Sequence, residues 1–213
     1  MLVAAGLFAL VVFALGVFFY TQPTGPDASG LAPDKRAALV RPHSPTSGEP
    51  GAKVTIVEFL DPACGTCSQF YPLVKGLIDA SAGRVNLVIR YAPFHPGSDE
   101  IVKILEAARL QNLYWPVLEA MFKSQSAWVI QHQAQPALVW DQISTTGLDV
   151  GKARADMNDP RIAQIVAQDI ADAKTLEVAQ TPEYFVNGKP LPEWGWEQLK
   201  TLVASEVRGA YGS

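Results

Sequence analysis

Val54-Thr55-Ile56-Val57-Glu58-Phe59-Leu60-Asp61-Pro62-Ala63-Cys64-Gly65-Thr66-Cys67 is the stretch from which the rest of the chain is read. Its first half is rich in β-branched and aromatic residues without clean alternation, the pattern of a central strand buried on both faces. Asp61-Pro62-Ala63 reads as a turn. Beyond it, Phe70, Leu73, Val74, Leu77 and Ile78 recur at helical spacing, which predicts a helix with Cys64 at or next to its N-terminus and Cys67 one turn inside. Unpaired N–H groups and the helix dipole favour a thiolate at the first cysteine. The second, three residues on, shares its face within disulfide reach. The spacing therefore encodes a nucleophile and a resolving partner. Glu58 stands in an apolar strand six residues before Cys64. There it is either a solvent-facing residue of an edge strand or a buried proton acceptor for the resolving thiol, its pKa raised by desolvation. Pro72, inside the predicted helix, should kink it.

Composition narrows the chemistry. The chain has 213 residues and a formal net charge of −4, which fits one domain, or one with an insertion, and gives no electrostatic reason to bind nucleic acid. Cys64 and Cys67 are the only cysteines, so a further structural disulfide, a four-thiolate zinc site and an iron–sulfur cluster are excluded. Ser68 stands where c-type haem attachment requires histidine. His43, His95 and His132 are scattered, so no metal site is assigned. His95 reads as a turn histidine with a local hydrogen bond, His132 as solvated, and Trp115, Trp128 and Trp140 as helix-packing residues.

Residues 1–20 read as a transmembrane signal anchor or a signal peptide: Leu2 to Tyr20 carries no charged, Asn or Gln residue, and about 19 residues of helix span roughly 28 Å. No Lys or Arg precedes this run, and the first cations after it are Lys35 and Arg36. The positive-inside rule thus gives no support for an exported domain, unless a basic stretch precedes this start. Residues 21–49, rich in Pro, Gly and Ser, read as a flexible linker. Arg84 to Tyr91 predicts a second strand, parallel to the first through a right-handed crossover. Ser98 is a candidate cap for the next helix, Pro116 opens another, and Asp159-Pro160 starts one running toward Leu176. Trp194 to about Val207 closes the chain as a helix packing Trp196, Leu199, Leu202 and Val203 inward.

With Glu58 and Pro72 at these offsets from Cys64-Gly65-Thr66-Cys67, the chain resembles the thioredoxin superfamily, and within it the DsbA-like thiol:disulfide oxidoreductases. Thr181-Pro182-Glu183-Tyr184-Phe185-Val186-Asn187-Gly188-Lys189 resembles that family's cis-proline segment and following hairpin, with Asn187-Gly188 as the turn. The resemblance implies an α/β thioredoxin-like domain over 50–95 and 175–213, interrupted by a helical insertion over 96–174. It implies a cis Thr181-Pro182 bond facing Cys64, with the Thr181 backbone, Pro182, Gly65 and Thr66 meeting an extended client chain. The implied activity is cofactor-free disulfide exchange with cysteine-containing client proteins, on the periplasmic or extracytoplasmic side of a membrane holding a redox partner. Two alternatives stay open. One is a reductase or isomerase of the same fold, kept reduced by a membrane electron donor; Gly65-Thr66 matches neither the histidine-containing pair of strong oxidants nor the Gly-Pro of reducing thioredoxins. The other is a dithiol chaperone for Cu(I) or Zn(II).

Overall fold

A computed structural model describes residues 31–212 of the chain. The apolar run of residues 2–20, expected as a membrane segment, lies outside them, as do residues 21–30. Among the described residues no helix is long and apolar enough to cross a membrane.

A five-stranded mixed sheet organises the molecule, in the order β1-β3-β2-β6-β7. Its strands are β1 (Thr46–Gly48), β2 (Val54–Leu60), β3 (Val85–Tyr91), β6 (Glu183–Val186) and β7 (Lys189–Pro190). Central β2 runs parallel to β3 and antiparallel to β6, with Glu58 between Ile89 and Tyr184. Such a strand is covered on both faces, which is why its text is apolar without alternation. Asn187 and Gly188, with φ of 48° and 81°, turn the chain from β6 into β7, the left-handed pair that a tight hairpin requires.

Side chains alternate across β2 and divide the core in two. Ile56 and Leu60 face α2 (Gly65–Ala80) and the closing helix α9 (Trp196–Tyr211), whereas Val57 and Phe59 pack with Ala38, Leu39, Ala173 and Leu176. The latter four belong to α1 (Pro33–Leu39) and to α8 (Pro160–Thr175) with its C-cap. Between β3 and α8 come α3 (Ser98–Arg109), α4 (Tyr114–Lys123), α5 (Gln125–Trp128), a hairpin of β4 (Val129–Ile130) and β5 (Gln133–Ala134), α6 (Pro136–Ile143) and α7 (Val150–Asp156).

Several expectations are corrected. Residues 33–48, expected within the flexible linker 21–49, form α1 and edge strand β1. Ala38 and Leu39 fill the second core, while Arg41 and His43 pair with Asp172 and Asp169 of α8; two apolar residues and two cations suffice because α8 presents matching groups. The helix α8, expected within the insertion 96–174, covers the second face of the sheet and so belongs to the sandwich as well. Ser98 is not the cap of α3: Gly97 takes that place with φ of 80°, and a Cβ there would lie 2.7 Å from the Ala134 carbonyl oxygen. The inner stripe of α2 is Cys67, Tyr71, Val74 and Ile78. Leu73 is instead exposed, because it faces an open groove between α2 and α9. Asp159 caps α8 with Pro160 at its first position, as read from the sequence.

Candidate active site

Parallel strands β2 and β3 end at the same edge of the sheet, and the loops leaving them build the site. Cys64 is the N-cap of α2 and Cys67 lies in its first turn; both are free and buried. The Thr181–Pro182 peptide bond is cis, and the Thr181 carbonyl oxygen lies 3.1 Å from Cys64 Sγ. Gly65 and Thr66 form the start of α2.

These surroundings separate the two thiols. A hydrogen bond from the Cys67 thiol, helped by the Thr181 side chain and the N–H groups of Thr66 and Cys67, lowers the Cys64 pKa to about 5 against the opposing effect of burial. Burial pushes Cys67 well above the ordinary thiol range, and its bond to Cys64 and the nearby Glu58 charge add to the shift. These shifts favour a thiolate at Cys64 and a protonated thiol at Cys67 that donates to it.

Glu58 is fully buried on the α2 face of β2, not solvent-facing on an edge. Burial raises its pKa to about 8, although the Tyr184 hydroxyl donates to it and works against the shift. Tyr184 also stacks on Phe70, which in turn packs against Trp194 with ring centroids 5.1 Å apart. The Trp194 indole N–H donates to the Pro182 carbonyl at 3.0 Å and ties the cis-proline segment to the start of α9.

Two residues that sequence reasoning missed hold the cysteine loop. Asp61, read only as a turn residue, is fully buried. Its carboxylate accepts from the N–H groups of Ala63, Phe94 and His95, from His95 Nδ1 and from the Ser98 hydroxyl, while its carbonyl accepts from Cys64 N–H. The signal available was a carboxylate three residues before a cysteine; apart from Ala63 and Cys64, its partners lie more than thirty residues away. Gln125 of α5 donates to the Pro62 and Cys64 carbonyls at 2.9 and 3.0 Å, fastening the insertion over the loop. Nothing local to Gln125 announces that task. His95, read as a turn histidine with a local bond, has its bond to Asp61 across the two loops. His132 is exposed, and Trp128 and Trp140 are core residues, as expected.

Known proteins share this frame. The chain is 29% identical to a thioredoxin-like oxidoreductase from Silicibacter pomeroyi DSS-3, whose crystal structure matches 82% of this chain and 98% of its own with a TM-score of 0.70. BdbD from Bacillus subtilis, 22% identical, covers 78% of this chain and 94% of its own with a TM-score of 0.69, a likeness of fold. Among curated proteins, the Na(+)/H(+) antiporter NhaA of Herminiimonas arsenicoxydans is 30% identical over 144 residues, 68% of this chain and 22% of that protein. The chain spans about a quarter of the length of such curated relatives. The sequence model of the family described as Thioredoxin matches residues 41–205, from just after α1 into α9. A cysteine pair at the head of α2, a cis-proline facing it and this match over most of the chain give one conclusion: the chain belongs to the thioredoxin family.

Proposed function

We propose that the chain is a DsbA-like thiol:disulfide oxidoreductase that donates disulfides to cysteine-containing client proteins on the extracytoplasmic side of a membrane, tethered there through residues 2–20. The observation that carries this reading is the placement of Cys64 as the N-cap of α2 against the cis Thr181–Pro182 segment, surroundings that favour its thiolate. A folded site that favours the thiolate favours the reduced form, and a couple whose reduced form is stabilised is an oxidant.

In the proposed cycle a client thiolate attacks Cys64 Sγ of the Cys64–Cys67 disulfide. A mixed disulfide forms, and the S–S bond to Cys67 breaks. Cys67 leaves as a thiolate and takes a proton from Glu58, whose carboxyl holds one below pH about 8; in the reverse direction Glu58 accepts it. A second client thiolate then attacks the client sulfur, and Cys64 departs as the stable thiolate. The Thr181 backbone, Pro182, Gly65 and Thr66 border Cys64 and would receive the client's extended chain by strand addition. A membrane redox partner would reoxidise the cysteines; no cofactor enters the cycle. A dithiol metal chaperone is disfavoured by Cys67, since a metal ligand must be a thiolate and this thiol is buried and held protonated.

The test is the reduction potential of the Cys64/Cys67 couple in the full chain, equilibrated against glutathione. A value near the roughly −120 mV of a strong oxidant is expected. One near the roughly −270 mV of thioredoxin would convert the reading to a reductase.

A further inference from the structure

Disulfide exchange moves protons on both sides of the cysteine pair, and the cycle above uses only one. Glu58 and Tyr184 are buried beneath Cys67 and serve the departing thiol. The attacking client thiol has a proton of its own to lose. An unperturbed thiol is only a few per cent ionised at neutral pH, and only the thiolate attacks.

The loop after β3 carries a group suited to that proton. His95 Nδ1 lies 2.7 Å from Asp61 Oδ2, and the imidazole side chain is 25% exposed. Every other partner of the Asp61 carboxylate is a donor: three backbone N–H groups and the Ser98 hydroxyl. Asp61 therefore acts as the acceptor, His95 carries its hydrogen on Nδ1, and Nε2 keeps a free lone pair. The ring is oriented as a base by a buried carboxylate, the arrangement that fixes tautomer and direction in proton-transferring histidines. Asp61 also accepts from Cys64 N–H through its own carbonyl, so one residue anchors the nucleophile's loop and the imidazole together. Next to His95, Phe94 is half exposed, an apolar surface beside the base for a client chain to rest on.

We propose that the Asp61–His95 pair is a client-side proton-transfer site, in which His95 Nε2 takes the proton of the incoming client thiol as its sulfur attacks Cys64. The inference rests on the exchange reading above. In the step the client S–H bond breaks, its proton passes to Nε2, a client S–Cys64 Sγ bond forms, and the Cys64–Cys67 bond breaks with its electron pair on Cys67. Asp61 is the positioning residue and balances the imidazolium. The proton returns to solvent from the exposed ring.

Two thiols separate this role from a structural one. The full chain in its disulfide form is mixed at pH 7 with N-acetylcysteine, which is mostly protonated, or with an aryl thiol that is already ionised, and reduction is followed by stopped-flow fluorescence. H95Q should slow the alkyl thiol roughly tenfold or more and leave the aryl thiol at the wild-type rate. H95A should behave alike and regain its alkyl rate with added imidazole. Equal slowing of both thiols, or of neither, would overturn the proposal while leaving the exchange reading intact. A wild-type chain that reacts with neither thiol would instead remove the exchange reading itself.

Discussion

Glu58 and Tyr184 stand opposite one another across the β2–β6 ladder, and the tyrosine hydroxyl donates to Glu58 Oε1 at 3.2 Å. Glu58 Oε2 is buried without a hydrogen-bond partner among the described residues. One donor does not compensate an ionised carboxylate in that place, so the group holds its proton up to about pH 8.

That carboxyl makes stability depend on pH in a stated direction. Its folded pKa, about 8, lies above its ordinary value of 4.5, so the folded state binds the extra proton between those values. Stability is therefore full below about pH 4.5, falls as the pH rises, and bottoms out above 8, by a few kcal/mol in all. Urea denaturation of the disulfide form, in which no thiol titrates and burial alone raises the Glu58 pKa, should show a decline of the same sign. E58Q should flatten it and slow exchange at neutral pH; an unaltered slope would take the titration away from Glu58.

The reduced form carries a second, opposite dependence. The Cys64 pKa is about 5 against an ordinary 9.0, so its contribution is complete above pH 9 and is lost as the pH falls through 5. Thiolate absorbance at 240 nm should titrate with a midpoint near 5. C67A, which removes the principal donor to the thiolate, should raise that midpoint, and an unmoved midpoint would contradict the assigned cause.

Exchange itself has a chemical signature. C67S should accumulate mixed disulfides with clients through Cys64, whereas C64S should not, because the remaining thiol is buried and protonated. Equal trapping by both variants in non-reducing gels would contradict the division of roles.

Beneath the opposite face of the sheet, Arg90 is fully buried and donates to both Asp169 and Asp172. His43 and Arg41 reach the same two carboxylates from the N-terminal segment. Removing one member strands the others: D169A should cost about 3–5 kcal/mol in urea denaturation, and a loss under about 1 kcal/mol would show that the network relaxes or takes up water.

Gln125 offers a milder test. Q125A leaves the Pro62 and Cys64 carbonyls without their side-chain donor, at a cost of about 1–3 kcal/mol. Amide hydrogen exchange should quicken at Ala63 and Cys64, and unchanged protection there would mean the insertion does not fasten the loop.

Strand β2, helix α2 and the cysteine spacing were legible in the linear text because each is specified by local chemistry: apolar runs, turn residues, helical periodicity and two thiols three positions apart. The fold class and the cis Thr181–Pro182 bond were legible only through the resemblance to the thioredoxin superfamily, and both stand in the structure. The ordering of residues 33–48 was not legible, since Arg41 and His43 look like linker until α8 supplies Asp172 and Asp169 more than a hundred residues later. Asp61 likewise gains its meaning from a loop that β3 brings alongside. The same holds for the burial of Glu58: its sequence neighbours make a strand, but only β3 and β6 on either side, with α2 above, remove it from water and hold it neutral. Local covalent spacing determined which two thiols stand side by side; long-range packing decided how they and Glu58 ionise.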